Sequence, residues 1–298
     1  MFSIEDFIVM VYCIVDDNLQ ELLGNKRLRS RGFDPTMSDA EVITLEIVGE
    51  FLGIDTDKGI WEYFGRHWRH FFPTLPCRTT FARQAANLWY WKQRLQAKLA
   101  QQLGAFLDPI HLVDGLPMPV CKFARAHFSK MFRGEATYGY CASKDETYYG
   151  FHGHLLISAN GIITAFSMTQ AHVDERPVLW ELIEGIRGLL LGDKGYISAP
   201  LREALKSYGI DLQTALRENM HDDRNPKWIA IIQSMRRLIE TVIGQLTDRF
   251  GIEKVRARDL WHQTSRVARK LLGHTVAVAI NMIHGRSPLQ FDGLVAAE

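Results

Sequence analysis

The sequence predicts an α+β chain in which a helical N-terminal region precedes a domain of mixed sheet flanked by helices. Three observations carry this. Residues 38–52 hold a helix start signal followed by an apolar face, residues 148–169 hold two β-rich runs around Asn160-Gly161, and beyond Leu107 strand-like runs alternate with helical ones. At 298 residues, 47% hydrophobic and 23% charged, the chain has the composition of a folded protein and length for one large or two modest domains. The change of pattern places a boundary near residue 105, giving a helical region over 1–105 and an α/β/α domain over 106–298.

Each element has a local reason. Ser38-Asp39-Ala40-Glu41 forms a capping box, and Val42, Leu45, Ile47, Val48, Phe51 and Leu52 give the helix from Asp39 to about Leu52 its apolar side. Pro73 and Pro76 bracket a break, after which Arg78-Thr79-Thr80-Phe81-Ala82-Arg83 opens a helix predicted to run through Leu88 toward Leu99. A turn and then a helix beginning with Arg and Thr is what a helix-turn-helix presents to a phosphate backbone. Further on, Ile110-His111-Leu112-Val113 reads as a short strand ending on Asp114-Gly115. Runs 148–158 and 162–169 form a hairpin across Asn160-Gly161. A helix over 179–186, a buried strand over 189–192 ending on Asp193, a helix over about 200–208 and a strand over about 210–215 follow. Asn225-Pro226, a cap residue and then proline at the first helical position, starts the helix that carries Glu240.

The formal net charge of +1 argues at face value against nucleic acid, but it is a cancellation. Residues 1–61 carry net −7, whereas 62–94, 122–144 and 249–270 carry +5, +4 and +5. Single basic runs are usually solvated faces. Three of them, interleaved with Trp68, Trp89, Tyr90, Trp91, Tyr138 and Trp261, favour a phosphate-rich partner. Cys13, Cys77, Cys121 and Cys141 lack the spacing of a zinc module or disulfide framework. The apolar run Phe7–Val15 follows Glu5-Asp6 and stops at Asp16-Asp17, so it reads neither as a signal peptide nor as a membrane span. The expectation is a soluble cytoplasmic protein.

Asp114 and Asp193 end predicted strands, each closely followed by a glycine, Gly115 and Gly195, expected to let the chain turn away. A carboxylate at a buried strand end costs desolvation energy and calls for a partner or a cation. Glu240 lies on the last predicted helix, with Gln233, Arg236 and Thr247 near the same face. Three such carboxylates can hold two divalent metals about 3.5–4 Å apart for in-line phosphoryl transfer, and oxygen-only ligands favour Mg²⁺ or Mn²⁺. Blander assignments exist for each: Asp114 as a turn residue, Asp193 paired with Lys194, Glu240 paired with Arg236. His152 and His154 alternate on one strand face, more in the manner of structural histidines than of zinc ligands, and Asp174 has the position of a helix cap.

Val113-Asp114-Gly115, Gly192-Asp193-Lys194-Gly195-Tyr196 and a helix with Arg four residues before Glu240 resemble the DDE transposases of bacterial insertion sequences. Ile4-Glu5-Asp6-Phe7, Tyr12 through Asp17 and Arg78-Thr79-Thr80-Phe81 are similar to the nine-eighty-two family of insertion sequences. The resemblance covers nearly the whole chain and implies an RNase H-like catalytic domain with Asp114, Asp193 and Glu240 as triad and metal ligands, separated by 79 and 47 residues. Related families carry Tyr, two residues, Arg, three residues, Glu, six residues, Lys; here Arg236 and Glu240 match, while Gln233 and Thr247 replace the Tyr and Lys, with Arg249 two residues further on.

The resemblance implies a transposase with two Mg²⁺ ions per site, Mn²⁺ able to substitute, that cuts DNA at terminal inverted repeats and joins it to target DNA as a homodimer in the bacterial cytoplasm, at the nucleoid. Arg236 would contact phosphate or position Glu240, Arg78, Thr79 and Arg83 are candidate contacts to the repeats, and Arg249 is a further DNA-binding candidate, with the replacement for the missing Lys left open. No membrane partner is implied. An RNase H-like nuclease without joining and a catalytically inactive DNA-binding derivative are the alternatives.

Overall fold

The computed structural model of the chain describes residues 1–24, 26–29, 31–142, 144–217 and 219–296. They form two units: Met1–Leu99 with the chain from Leu246 onward, and Ala100–Gln245.

The first unit contains α1 (Ile4–Leu23), α2 (Asp39–Phe51), α3 (Asp57–His67), α4 (Arg78–Asn87), most of α5 (Trp89–Gln102) and, near the C-terminus, α10 (Leu260–Ile283). The Ser38–Glu41 capping box forms in full, and α2 begins at the expected residue. Nearly all of α2 is buried, including Glu46 and Glu50, because α1, α3, α4 and α10 pack around it. The helix expected from Arg78 to Leu99 is interrupted at Leu88. There the Ala85 carbonyl accepts from Leu88 N–H, Lys92 Nζ and Ser265 Oγ, partners that replace the continuing helical bond.

Inside the unit, Lys92 Nζ lies 2.9 Å from Glu46 Oε2, Lys270 Nζ lies 2.6 Å from Glu50 Oε2, and the Arg269 guanidinium reaches Glu46, Glu50 and Asp57. Burial opposes ionisation of Asp57, but Arg269 and Arg266 outweigh it and hold the carboxyl at about 2. Several basic residues counted from sequence toward a nucleic-acid partner are thus engaged inside the protein.

The second unit contains β1 (Ile110–Cys121), α6 (Phe123–Ala126), β2 (Thr137–Cys141), β3 (Glu146–Ser158), β4 (Ile163–Gln170), α7 (Glu175–Leu182), β5 (Gly188–Gly192), α8 (Ala199–Lys206), β6 (Ile210–Thr214) and nearly all of α9 (Pro226–Asp248). The sheet runs β4-β3-β1-β5-β6, with β1, β5 and β6 parallel and β3 antiparallel to both β1 and β4. This is the mixed RNase H-like order, and the α+β class follows. Beyond its pairing with β4, the same edge of β3 pairs with β2. The hairpin turns at Asn160-Gly161 with Gly161 at φ +76°, a conformation that favours glycine.

α7 packs on β3 and β4 and α8 on β6. Their apolar sides bury Leu179, Leu182, Leu201 and Leu205 with Val113, Leu156, Leu190 and Leu212 of the sheet. Asp174 caps α7 by accepting the Arg176 N–H, and the helix starts four residues before the expected Leu179.

β1 departs from expectation. It continues through Asp114 and Gly115 to Cys121, although Pro117 and Pro119 lie in its second half. Pairing with β5 covers Ile110–Leu112, whereas pairing with β3 extends to Cys121. Past Leu112 the strand has one partner, so a missing proline N–H leaves no ladder bond broken.

Candidate active site

Parallel register brings the two aspartates to one end of the sheet. Leu112 of β1 pairs with Leu191 of β5, and Asp114 and Asp193 each lie two residues further along. Arg236, from α9, places Nη2 2.9 Å from Asp193 Oδ1. Glu240 follows one turn later on α9 and is exposed. Neither blander partner assignment describes the geometry: Arg236 pairs with Asp193, where Lys194 was the expected alternative, and its ion pair is not with Glu240.

The Asp114 carboxyl is pushed up to about 6, first by burial and further by the charges of Asp193 and Glu240; the Gly115 N–H, 2.8 Å from Oδ1, and Arg236 offset part of this. The three acids named from sequence therefore share one electrostatic neighbourhood.

A fourth acid, Glu175, was missed. It opens α7, and its carboxyl is pushed up to about 7, first by burial and then by Asp114, Asp193 and Asp174. The glycines explain its position. A Cβ on Gly115 would lie 2.3 Å from His152 Nε2 and 2.8 Å from Glu175 Oε1, and one on Gly195 would lie 2.6 Å from Glu175 Oε2. Gly115 lies within a continuous strand and does not turn the chain; these glycines clear the space that the Glu175 carboxylate occupies. In the sequence the sign of this arrangement is the glycine shortly after each aspartate, a pattern that equally fits a turn.

The Tyr196 hydroxyl, fully buried, has no hydrogen-bond partner among the described residues; burial first, then Glu175, Asp114 and Asp193, raise its pKa and keep it protonated. His152 and His154 lie with ring centroids 4.5 Å apart, and His154 Nε2 is 2.9 Å from Thr169 Oγ1. Burial lowers both, His154 to about 3 with His152 contributing, so both rings are neutral at physiological pH.

Arg236 pairs with Asp193, while Asp114 and Glu175 repel one another and Asp193, with His152 Nε2 3.6 Å from Glu175 Oε1. A hard divalent cation fits that chemistry, since ionising Asp114 and Glu175 together is costly without added positive charge. Among the described residues no three acid, imidazole or thiol side chains converge closely enough to enclose an ion.

The other residues singled out from sequence lie in the first unit. Arg78, Thr79 and Arg83 are exposed on α4, whose opposite side buries Phe81, Gln84, Ala85 and Ala86. Arg249, just past α9, sits 4.9 Å over the Phe51 ring and 3.2 Å from Asp292. At the position of the family Lys, the Thr247 hydroxyl is buried without a partner among the described residues. No described helix is long and apolar enough to cross a membrane.

A comparison with curated proteins gives no match. Among solved structures, the chain is similar to a cryo-EM structure of a piggyBac transposase synaptic complex with hairpin DNA, at 9% identity and a TM-score of 0.48, over 98% of this chain and 78% of that one, a likeness too slight to carry an argument. The family described as the Transposase DDE domain matches residues 105–260, which contain all four carboxylates, Arg236 and the whole mixed sheet. By that match over more than half its length, the chain belongs to the DDE transposase domain family.

Proposed function

We propose that the chain is the transposase of a bacterial insertion sequence of the nine-eighty-two type, cutting DNA at the terminal inverted repeats and joining the freed 3′ ends to target DNA. The observation that supports this most is the Leu112–Leu191 register, with Asp114 and Asp193 two residues beyond it and Arg236 of α9 on Asp193. Asp114, Asp193 and Glu240 are the proposed ligands. Two bound Mg²⁺ ions, or Mn²⁺ in their place, would stabilise the developing charge on the attacking and leaving oxygens of an in-line displacement.

The residues of the chain bind and orient. Asp114 in β1 and Asp193 just past the end of β5 form the sheet side of the site, and Glu240 approaches from a helix. Arg236 holds Asp193 oriented and exchanges that contact for a DNA phosphate when the site is loaded. Arg78, Thr79 and Arg83 contact the repeat ends, with Arg249 adding charge near the backbone. The working form is a homodimer on DNA, in the cytoplasm at the nucleoid.

The test is a strand-transfer reaction with Mg²⁺ on a labelled terminal-repeat duplex. Joined products are expected; nicks without joining would replace this reading with a nuclease, and a gel shift without cleavage would replace it with a DNA-binding derivative.

A further inference from the structure

We propose that the surface formed by residues 122–141 of the second unit binds unpaired DNA, its exposed aromatic rings stacking on bases while its basic side chains meet the phosphates.

The charges here remain outside. Of the other basic stretches, 249–270 has Arg269 and Lys270 buried in ion pairs and Arg266 paired with Asp57, and 62–94 has Lys92 buried against Glu46 while its arginines stay exposed. By contrast Lys122, Arg125, Lys130 and Arg133 are all exposed, and none is in an ion pair among the described residues. Glu135 is the one acid in the segment.

The aromatic residues are the second observation. Phe123, Phe128, Tyr138 and Tyr140 are 53%, 82%, 48% and 62% exposed, four of the ten exposed Phe, Tyr and Trp side chains among the described residues. Phe123 stands edge-on to Tyr138 at 5.9 Å, and Tyr138 lies 5.1 Å from Tyr149, so the rings form a row.

The segment is anchored. Phe132, Ala126 and Ala136 are buried, the Phe132 ring meets Phe151 edge-on at 5.3 Å, and Tyr149 donates its hydroxyl proton to the Phe132 carbonyl at 3.3 Å. Phe132 adopts φ +53°, a strained backbone for a bulky residue that accompanies the burial of this ring while its aromatic neighbours stay outside.

Register ties the surface to the candidate active site. Tyr138 is directly opposite Tyr149 on β3, which shares a sheet face with Leu155, and Leu155 is directly opposite Asp114. Tyr140, two residues after Tyr138, is on the same face as both. Bases paired and stacked in a duplex do not offer their faces to such rings, whereas unpaired nucleotides do, and a basic surface with aromatic rings is the general solution for single strands. That the ligand is DNA rests on the transposase reading; the stacking surface rests on the rings and charges.

The test is fluorescence anisotropy of the full chain with labelled oligothymidine, an abasic oligonucleotide of equal length and a duplex. The combined Phe128→Ala, Tyr138→Ala, Tyr140→Ala variant should lose on the order of a hundredfold in oligothymidine affinity, with duplex binding and the melting temperature nearly unchanged. Replacing Lys122, Arg125, Lys130 and Arg133 by Ala should weaken all three ligands and flatten the salt dependence by about 0.7 for each single-strand phosphate no longer neutralised. Unchanged oligothymidine binding in the aromatic variant, an equal loss on duplex, or abasic DNA binding as tightly as oligothymidine overturns the proposal. Oligothymidine binding that depends on the rings, without cleavage at terminal repeats, contradicts the transposase reading and leaves this surface standing.

Discussion

Arg236 Nη2 lies 2.9 Å from Asp193 Oδ1, joining α9 to the end of β5 beside one of the proposed metal ligands. A guanidinium in that position competes with a cation for Asp193. Arg236→Ala should therefore bind Mn²⁺ more tightly, by titration calorimetry, yet cut DNA about tenfold or more slowly because a phosphate is left without its guanidinium. Asp193 is 41% exposed on its side chain, so the unfolding free energy should move by less than about 1 kcal/mol.

The raised carboxyls set a pH dependence. Asp114 goes from 3.8 to about 6 and Glu175 from 4.5 to about 7. Between the unfolded and folded values the folded state holds more protons, so metal-free stability falls as pH rises from about 4 to 7 and is level above that. At about 1.4 kcal/mol per pKa unit, the Asp114 shift alone corresponds to roughly 3 kcal/mol. Thermal melts should show the decline, and Mg²⁺ should reverse it above pH 7, where the carboxylates are ionised, but not at pH 5.

Glu175 and the two glycines form a mechanical unit. Gly115→Ala should destabilise by about 1–3 kcal/mol in urea titrations, because the added methyl meets His152 and Glu175 together. Gly195→Ala meets a carboxylate oxygen at 2.6 Å, so adding Glu175→Ala should recover most of its loss. Additive losses in that pair would contradict the shared contact. Glu175→Gln should raise the metal-free melting temperature at pH 7.5 and shrink the Mg²⁺-induced rise, since it removes the repulsion that the ion relieves.

The buried ion pairs predict the opposite balance of stability and binding. Lys92→Met leaves Glu46 buried beside a weakened set of partners and should cost about 3–5 kcal/mol in unfolding free energy. Arg78→Ala and Arg83→Ala, on exposed positions of α4, should leave stability within about 0.5 kcal/mol. Each should reduce the salt slope of duplex binding by about one.

What was legible in the chain was local. Ser38 and Glu41 set the start of α2 because both halves of the cap lie within four residues, and Asn160-Gly161 placed the hairpin because one dipeptide supplies the turn geometry. β1 runs past Asp114-Gly115, where the sequence suggests a turn, because Gly115 makes room for Glu175 and His152 from other elements, which the local sequence does not show. The acids Asp114, Asp193 and Glu240 were named, yet Glu175 was not, since its part depends on space left by Gly115 and Gly195 from other elements. Likewise, a run of basic residues does not reveal that Lys92, Arg269 and Lys270 turn inward to Glu46 and Glu50.

The most direct test is strand transfer by Asp193→Asn with Mg²⁺ on a labelled terminal-repeat duplex. Asparagine keeps the size of the side chain and removes the charge that holds a cation. Duplex binding should persist while cleavage and joining fall by on the order of a thousandfold or more, about 4 kcal/mol of barrier; cleavage within about tenfold of the unaltered chain would contradict the assignment of Asp193 to the reaction.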